Sequence, residues 1–342
     1  MNVEELKTYR CPKCKAGSLE LLASAQAGEG DGPAQGTIKC PGCGANYSVR
    51  NGVPRFVPDD QYAESFGFQW NKFRRTQLDS HTGMPLTANR LFHVTQWPRD
   101  MRGVRILEAG SGAGRFSEVL LGTGATLFSF DLSSAVDANM ASNGKAANLN
   151  LFQASIYDIP LPEQHFDKVM CLGVLQHTPD PERSFASLAR YVKPGGELAV
   201  DVYSTRWRSL MSWKYLLRPI TKRIPQQTLF GWVENAVNVL LPVSVFLRKI
   251  GGKFGARLIP IVEYSNLGLP YELNREWAIL DTFDMYSPSH DHPRSIPQVR
   301  QWFAAAKFVD VVVEYGPNGV IGRGRRPTNP GAPAQGLLSG GR

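Results

Sequence analysis

Residues Val104–Phe116 read VRILEAGSGAGRF, and this stretch decides the fold. Val104, Ile106 and Leu107 supply the apolar residues of a short buried strand. Gly110, Gly112 and Gly114 crowd one turn, and Phe116–Leu121 (FSEVLL) predicts the helix that follows. Strand, glycine turn and helix open a doubly wound α/β domain. The glycines let the backbone approach a ligand closely, with the N–H groups of the helix start at hand. Many nucleotide-binding turns share the G-x-G-x-G spacing, so the neighbours carry the argument. Glu108 stands before the first glycine, and the next strand, Thr126–Phe130, ends in Asp131, whose carboxylate can accept two ribose hydroxyls. An acid beside the turn disfavours a pyrophosphate and suits a ligand with cationic groups.

The pattern continues in QASIYDIPLPEQHFDKVMCLGVLQHTPDPERSFASLARYVKPGGELAVDVY, Gln153–Tyr203. With the glycine turn, it resembles the class I S-adenosylmethionine-dependent methyltransferases, in the subgroup with a methyltransferase-11-like core. LPEQHFDKV before the fourth strand and KPGG before the fifth are not features of NAD-binding domains. The resemblance implies an α/β, Rossmann-like seven-stranded sheet closed by an antiparallel hairpin, with S-adenosyl-L-methionine as cofactor. It places Glu108, Gly110, Gly112, Gly114, Asp131, Leu132, Ser155, Ile156 and Leu172 around that cofactor. Relatives end the third strand in Gly-Asp, whose Asp contacts the adenine amino group. Here Ala154-Ser155 stands instead, leaving the Ser155 hydroxyl, the Ile156 backbone N–H and nearby Asp158 to serve.

The fourth strand, Lys168–Leu172, delivers Gly173–His177 to its C-terminal end, where open α/β sheets bind ligands. Cys171 reads as packing. His177 has two readings, a general base or a residue that shapes the loop. No N-P-P-[FY] follows, which argues against the usual adenine-N6 and glutamine amino-methyltransferases. A helix over Ser184–Tyr191 leads through Lys193-Pro-Gly-Gly196 into a fifth strand, Glu197–Tyr203. Further on, Pro297 starts a helix over Ile296–Ala306, and Phe308–Tyr315 with Val320–Arg323 form the closing hairpin. Asp281, Asp284, His290, Asp291 and His292 precede that helix in a stretch expected to cross the top of the sheet. His290 and His292 thus join His177 as candidate catalytic bases.

Outside the core, Cys11-Pro-Lys-Cys14 and Cys40-Pro-Gly-Cys43 pair two C-x-x-C knuckles, which suits structural, tetrahedral Zn2+ held by Cys11, Cys14, Cys40 and Cys43. The expected organisation is a small N-terminal zinc ribbon over 1–58, with a loose loop at 25–36, and linker or lid helices over 59–103. The methyltransferase core follows at 104–203 and 277–325, interrupted by a basic, aromatic helical insertion at 204–276, with a disordered tail at 326–342. In 59–103, Phe66, Phe68, Trp70 and Phe73 either cover the cofactor or dock the ribbon. The net charge of +8 belongs to one region: residues 203–260 hold ten Lys or Arg against Glu234 alone. Thr228–Phe246 is apolar but broken by Glu234, Asn235, Asn238 and Pro242, which predicts an amphipathic or packed helical pair rather than a bilayer span. Reduced cysteine pairs and no visible signal peptide predict a cytoplasmic protein.

Methyl transfer is an in-line displacement, so the protein chiefly aligns an acceptor and removes its proton. The leading expectation is a methyltransferase for a small-molecule or glycan-type acceptor. One alternative is an RNA methyltransferase gripping RNA with ribbon and insertion, and another is a non-catalytic S-adenosylmethionine-binding module. The insertion also offers a peripheral contact with anionic lipid.

Overall fold

The computed structural model describes residues 4–23, 35–57, 64–206 and 213–328. Most of the 25–36 loop, Trp207, and 329–342 of the expected tail lie outside the described residues.

The core sheet is built from β5 (Arg105–Ala109), β6 (Thr126–Asp131), β7 (Leu149–Gln153), β8 (Phe166–Cys171), β9 (Val192–Val202), β10 (Val309–Gly316) and β11 (Gly319–Arg325). Their spatial order is β7-β6-β5-β8-β9-β11-β10. The first five run parallel, and β11 pairs antiparallel with both β9 and β10, so the closing hairpin is present through Pro317-Asn318. Strand β9 begins earlier than expected and takes in Lys193-Pro-Gly-Gly196; Val192 still pairs with Phe166, and a register shift follows before Lys168 meets Glu197. Helices α4 (Arg115–Leu121), α5 (Ala135–Asn143), α6 (Pro181–Ala189) and α10 (Ile296–Ala305) flank the sheet. Asp180 caps α6, and Ser295 with Gln298 forms a capping box on α10, with Pro297 in its first turn.

The N-terminal module is not a separate bead. Its strands β1 (Glu20–Ala23), β2 (Gln35–Lys39), β3 (Asn46–Arg50) and β4 (Val53–Arg55) extend the core sheet beyond β7. The seam is narrow in backbone terms: Arg55 pairs with Gln153, and the Phe56 N–H donates to the Gln153 carbonyl at 2.8 Å. Side chains supply the rest. The buried Arg55 guanidinium donates to Gln153 at 3.1 Å and to Asp137 at 2.6 Å. Tyr9, 1% exposed, stacks on Phe56 at 5.6 Å and meets Phe152 edge-on at 5.4 Å. One apolar cluster runs from Cys11 and Ile38 through Tyr9 into Phe128 and Phe166.

Three helices over 59–103, α1 (Glu64–Lys72), α2 (Asp79–Thr82) and α3 (Leu86–Thr95), lie before β5. The insertion forms α7 (Trp213–Thr221) and α8 (Gln226–Ala256). Thr228–Phe246, expected as an amphipathic or packed helical pair, lies within α8, which runs through Pro242 and departs from helical geometry at Gly252, where φ is 55° and ψ −140°. Burial of Leu229, Phe230, Val233, Val237 and Leu241 against α9 (Tyr271–Tyr286) holds it together across the proline. The boundary expected at 277 falls inside α9.

Because ribbon and core share one apolar cluster, they should unfold together. Tyr9→Ala should destabilise the chain by about 3 kcal/mol or more. Tryptophan fluorescence in a urea titration checks this, since all tryptophans lie beyond residue 58. An unchanged midpoint in that signal would show that the ribbon is energetically separate.

Candidate active site

A cavity of about 1000 Å³ opens at the C-terminal ends of β5, β6, β8 and β9. Its floor is the glycine turn. Gly110 has φ +77°, and a side chain there would run into Val174. Gly112 has φ +53°, and its N–H donates to the Asp131 carboxylate at 3.0 Å. The other Asp131 oxygen accepts from the Ser133 N–H at 2.9 Å and hydroxyl at 2.7 Å. Burial raises the Asp131 pKa, against these donors. Gly110, Gly112, Asp131, Leu132, Ile156 and Leu172 all line the cavity, as does Ser111, whose buried hydroxyl has no hydrogen-bond partner among the described residues.

Three expected cofactor residues lie elsewhere. Glu108, 1% exposed, points between β5, β6 and α4, accepting from Ser117 Oγ at 2.6 Å and Ser129 Oγ at 2.8 Å. Burial pushes its pKa up to about 7. Gly114 caps α4 at φ +87°, packed against Asn139 and Asn143, because the helix start passes close to α5. Ser155 is outside the lining, its Oγ accepting the Tyr157 N–H at 3.2 Å in a local turn.

The roof comes from α1. Phe66, Trp70 and Phe73 line the cavity, and the Trp70 indole sits over Gly112, so the aromatic stretch covers the site. Phe68 instead packs on Phe230 and Phe283.

Polar groups also line the cavity. His177 ends a short 3-10 turn, Leu175–His177, after β8, and is 7% exposed. Its ring contacts Phe66 and Tyr203, each at 5.3 Å. Nδ1 lies 3.0 Å from the His290 carbonyl oxygen. A carbonyl only accepts, so Nδ1 carries the proton and Nε2 the lone pair. Burial lowers the His177 pKa, opposed by the charge of Asp284. The other two histidines do not reach the cavity: His290 and His292 stack on each other at 5.6 Å, and the His292 N–H donates to the Gln176 carbonyl. Their stretch is tied down as backbone beside the His177 turn, which points the rings away.

The structure adds Arg90, Asp201 and Arg115, which sequence reading left aside, and brings the expected Asp281 and Asp284 to the cavity. Arg90 of α3 pairs with fully buried Asp201 at 2.7 Å, and Asp201 also accepts the Gly173 N–H. Arg115 donates to Gln77 at 2.5 Å; burial, with Arg90 nearby, brings its pKa down to about 10. Asp281, bonded to Tyr264 and to Gln77 at 3.1 Å, is pushed up to about 6 by burial. Asp284 accepts from Gln69 at 3.2 Å. Asp201 had a signal of its own, an acid within the apolar end of its strand, Leu198–Val202.

In the ribbon, the sulfurs of Cys11, Cys14, Cys40 and Cys43 lie within 4.8 Å of one another. The pairs Cys11–Cys43 and Cys14–Cys40 are 3.6 and 3.5 Å apart. A tetrahedron with zinc–sulfur bonds of about 2.3 Å has edges near this length. It is the one such cluster among the described residues.

The sheet order and the glycine turn give the α/β, Rossmann-like methyltransferase fold. A sequence profile described as a methyltransferase domain matches residues 107–200. The chain is similar to the ubiquinone biosynthesis O-methyltransferase of Thiobacillus denitrificans, 31% identical over 132 residues, covering 37% of this chain and 56% of that protein. It is also similar to the ubiquinone biosynthesis O-methyltransferase of Coxiella burnetii, 30% identical over 119 residues, 34% and 50% of the two chains. The chain thus spans about half the length of the curated relatives it matches. Among solved structures it resembles phosphoethanolamine N-methyltransferase 2 of Haemonchus contortus, in complex with S-adenosyl-L-methionine. The TM-score is 0.43 at 14% identity, over 79% of this chain and 48% of that one.

Asp131 bridges the glycine turn and the open cavity. Asp131→Ala should weaken S-adenosylmethionine binding by about 1–3 kcal/mol, measured by isothermal titration calorimetry. Affinity equal to that of the unaltered protein would remove the carboxylate from the cofactor site.

Proposed function

We propose that the protein is an S-adenosylmethionine-dependent methyltransferase acting on a hydroxyl of a small-molecule or glycan-type acceptor. Bound over Gly110–Gly112, beside Asp131 and Leu132 and under Trp70, the cofactor would supply an electrophilic methyl group. The unpartnered Ser111 hydroxyl and the Asp131 carboxylate fit a ligand bearing hydroxyl and cationic groups.

The observation that carries the acceptor reading is the tautomer of His177. Its Nδ1 proton is committed to the His290 carbonyl, so Nε2 is available to take a proton from an acceptor hydroxyl. Burial keeps the ring neutral at physiological pH, and the charge of Asp284 favours the imidazolium once the proton arrives. Arg90, held by Asp201, and Arg115, held by Gln77, provide fixed donors in the same cavity. A small acceptor is favoured over RNA because several insertion cations are used internally. Lys214 and Arg218 pair with Asp291 at 3.1 and 3.2 Å, and Arg248 pairs with Glu263.

We infer that Cys11, Cys14, Cys40 and Cys43 hold a structural Zn2+ that stabilises the ribbon, whose own apolar core is small. Elemental analysis should find one zinc per chain, lost when all four cysteines become serine. Metal retained in that variant would overturn the assignment.

His177→Asn should lower kcat about 100-fold or more while leaving cofactor affinity nearly unchanged. The rate should be flat above pH 7 and fall only below the ordinary histidine value of 6.5, because the pKa is lowered and protonation removes the lone pair. Kinetics on an acceptor found by radiolabelled methyl transfer into fractionated extract provide the check. A variant that keeps both rate and acid limb would exclude His177 as base.

A further inference from the structure

The insertion presents the wrong side of its helices to water. On α7, Lys214 and Arg218 turn inward to Asp291 and line the cavity. Leu216 and Ile220, on the outside, are 67% and 65% exposed. A helix packed on a protein in water normally buries its apolar side; α7 does the reverse.

Helix α8 is apolar on two faces. One is buried through Phe230, Val233, Val237 and Leu241. On the opposite side Trp232, Val239, Val243, Phe246 and Ile250 fall within an arc of about 60° at 3.6 residues per turn. These five are 46% to 72% exposed. Past the kink at Gly252, Phe254 and Leu258 continue at 77% and 53%. Single exposed hydrophobics are ordinary, whereas a continuous stripe of this length marks a contact surface. The Trp213 indole N–H donates to the Arg257 carbonyl at 3.0 Å, joining α7 to the end of α8. Trp213, Lys253 and Arg257 also line the cavity, so its rim meets the apolar surface.

Charge selects the occupant. Lys222, Arg223, Lys249, Lys253 and Arg257 are exposed around the stripe, and Glu234, half-buried, is the one acid in residues 203–260. We propose that the α7–α8 face lies on an anionic lipid bilayer, with the cavity rim turned toward the membrane. By length and composition α8 could cross a bilayer. Its inner face, however, is packed against α9, and cations occupy its last turns, which places it in the interface plane with the apolar stripe among the acyl chains. This surface would admit an amphiphilic acceptor from the bilayer, a consequence that rests on the methyltransferase reading; the docking itself does not.

The test uses the full chain with sedimented vesicles of phosphatidylcholine alone or with an equal part of phosphatidylglycerol. The protein should sediment with the anionic vesicles and far less with the neutral ones, and added salt should release part of it. The triple variant Val239→Asn/Phe246→Ser/Ile250→Ser should lower vesicle partitioning about tenfold or more, with circular dichroism and cofactor affinity unchanged. Charge reversal at Lys222, Arg223 and Lys249 should abolish the preference for anionic lipid. Absence of vesicle binding, or a triple variant that binds like the unaltered chain, overturns the proposal. So does a stable dimer in light scattering that the triple variant dissociates, which would make the stripe an interface between two copies. Vesicle binding requires no methyl transfer, so its failure is distinct from failure of the enzymatic reading.

Discussion

A single buried carboxyl, Glu108, holds the site together from beneath. Its Oε2 accepts hydroxyls from Ser117 on α4 and Ser129 on β6, and Ser117 in turn accepts the Asn139 amide of α5 at 3.0 Å. Asn143 continues the chain to the Gly114 carbonyl at 3.0 Å. Four elements are thus fastened around one polar group just below the glycine turn. Burying an ionised carboxyl is costly, and its raised pKa shows the neutral form competing near pH 7. The serines offset part of that cost. The network fixes where β5 ends and α4 begins, and so where the Gly112 N–H meets Asp131.

The second constraint is the exposed edge that β7 would otherwise present. An unpaired edge strand invites association with other chains. Here β4 and the aromatic layer of Tyr9, Phe56 and Phe152 cover it, with Arg55 clamped between Gln153 and Asp137. The cysteine cluster lies at the far end of the same apolar core, so metal binding there would be linked to the stability of the catalytic sheet.

The insertion solves a different problem. Covering a cavity that contains Arg90, Arg115, Asp281 and Asp284 calls for a polar inner wall, and Lys214 and Arg218 contribute to it. A short amphipathic helix that turns its charges inward must turn its apolar residues outward. Helix α8 lends its inner face to α9 and leaves an apolar outer face beside it. The charge excess of the region is therefore divided between internal ion pairs and a fringe around an apolar surface.

Much of the core was legible because its signals are local. The strand–glycine–helix run, the C-x-x-C pairs and the helix start at Pro297 depend on near neighbours in the chain; the helices expected over Phe116–Leu121 and Ile296–Ala306 moved by one residue, and the one expected from Ser184 starts three residues earlier, at Pro181. Asp131 could be placed because a strand delivers its last residue to the sheet edge. The direction of side chains was not legible in this way. Glu108 and Gly110 are two residues apart, yet one lies under the sheet and the other on the cavity floor. His290 and His292 look like bases in sequence, but Gln176 and His177 hold their backbone and leave the rings outside. That one helix runs through Pro242 follows from the packing of Phe230 and Leu241 against α9. Sequence by itself determined the strand-to-helix opening, the glycine turn and the cysteine pairs, since each is set by residues within one or two elements. Tertiary structure alone decided which of three histidines faces the cavity and which face of the insertion meets solvent, because both depend on contacts between segments far apart in the chain.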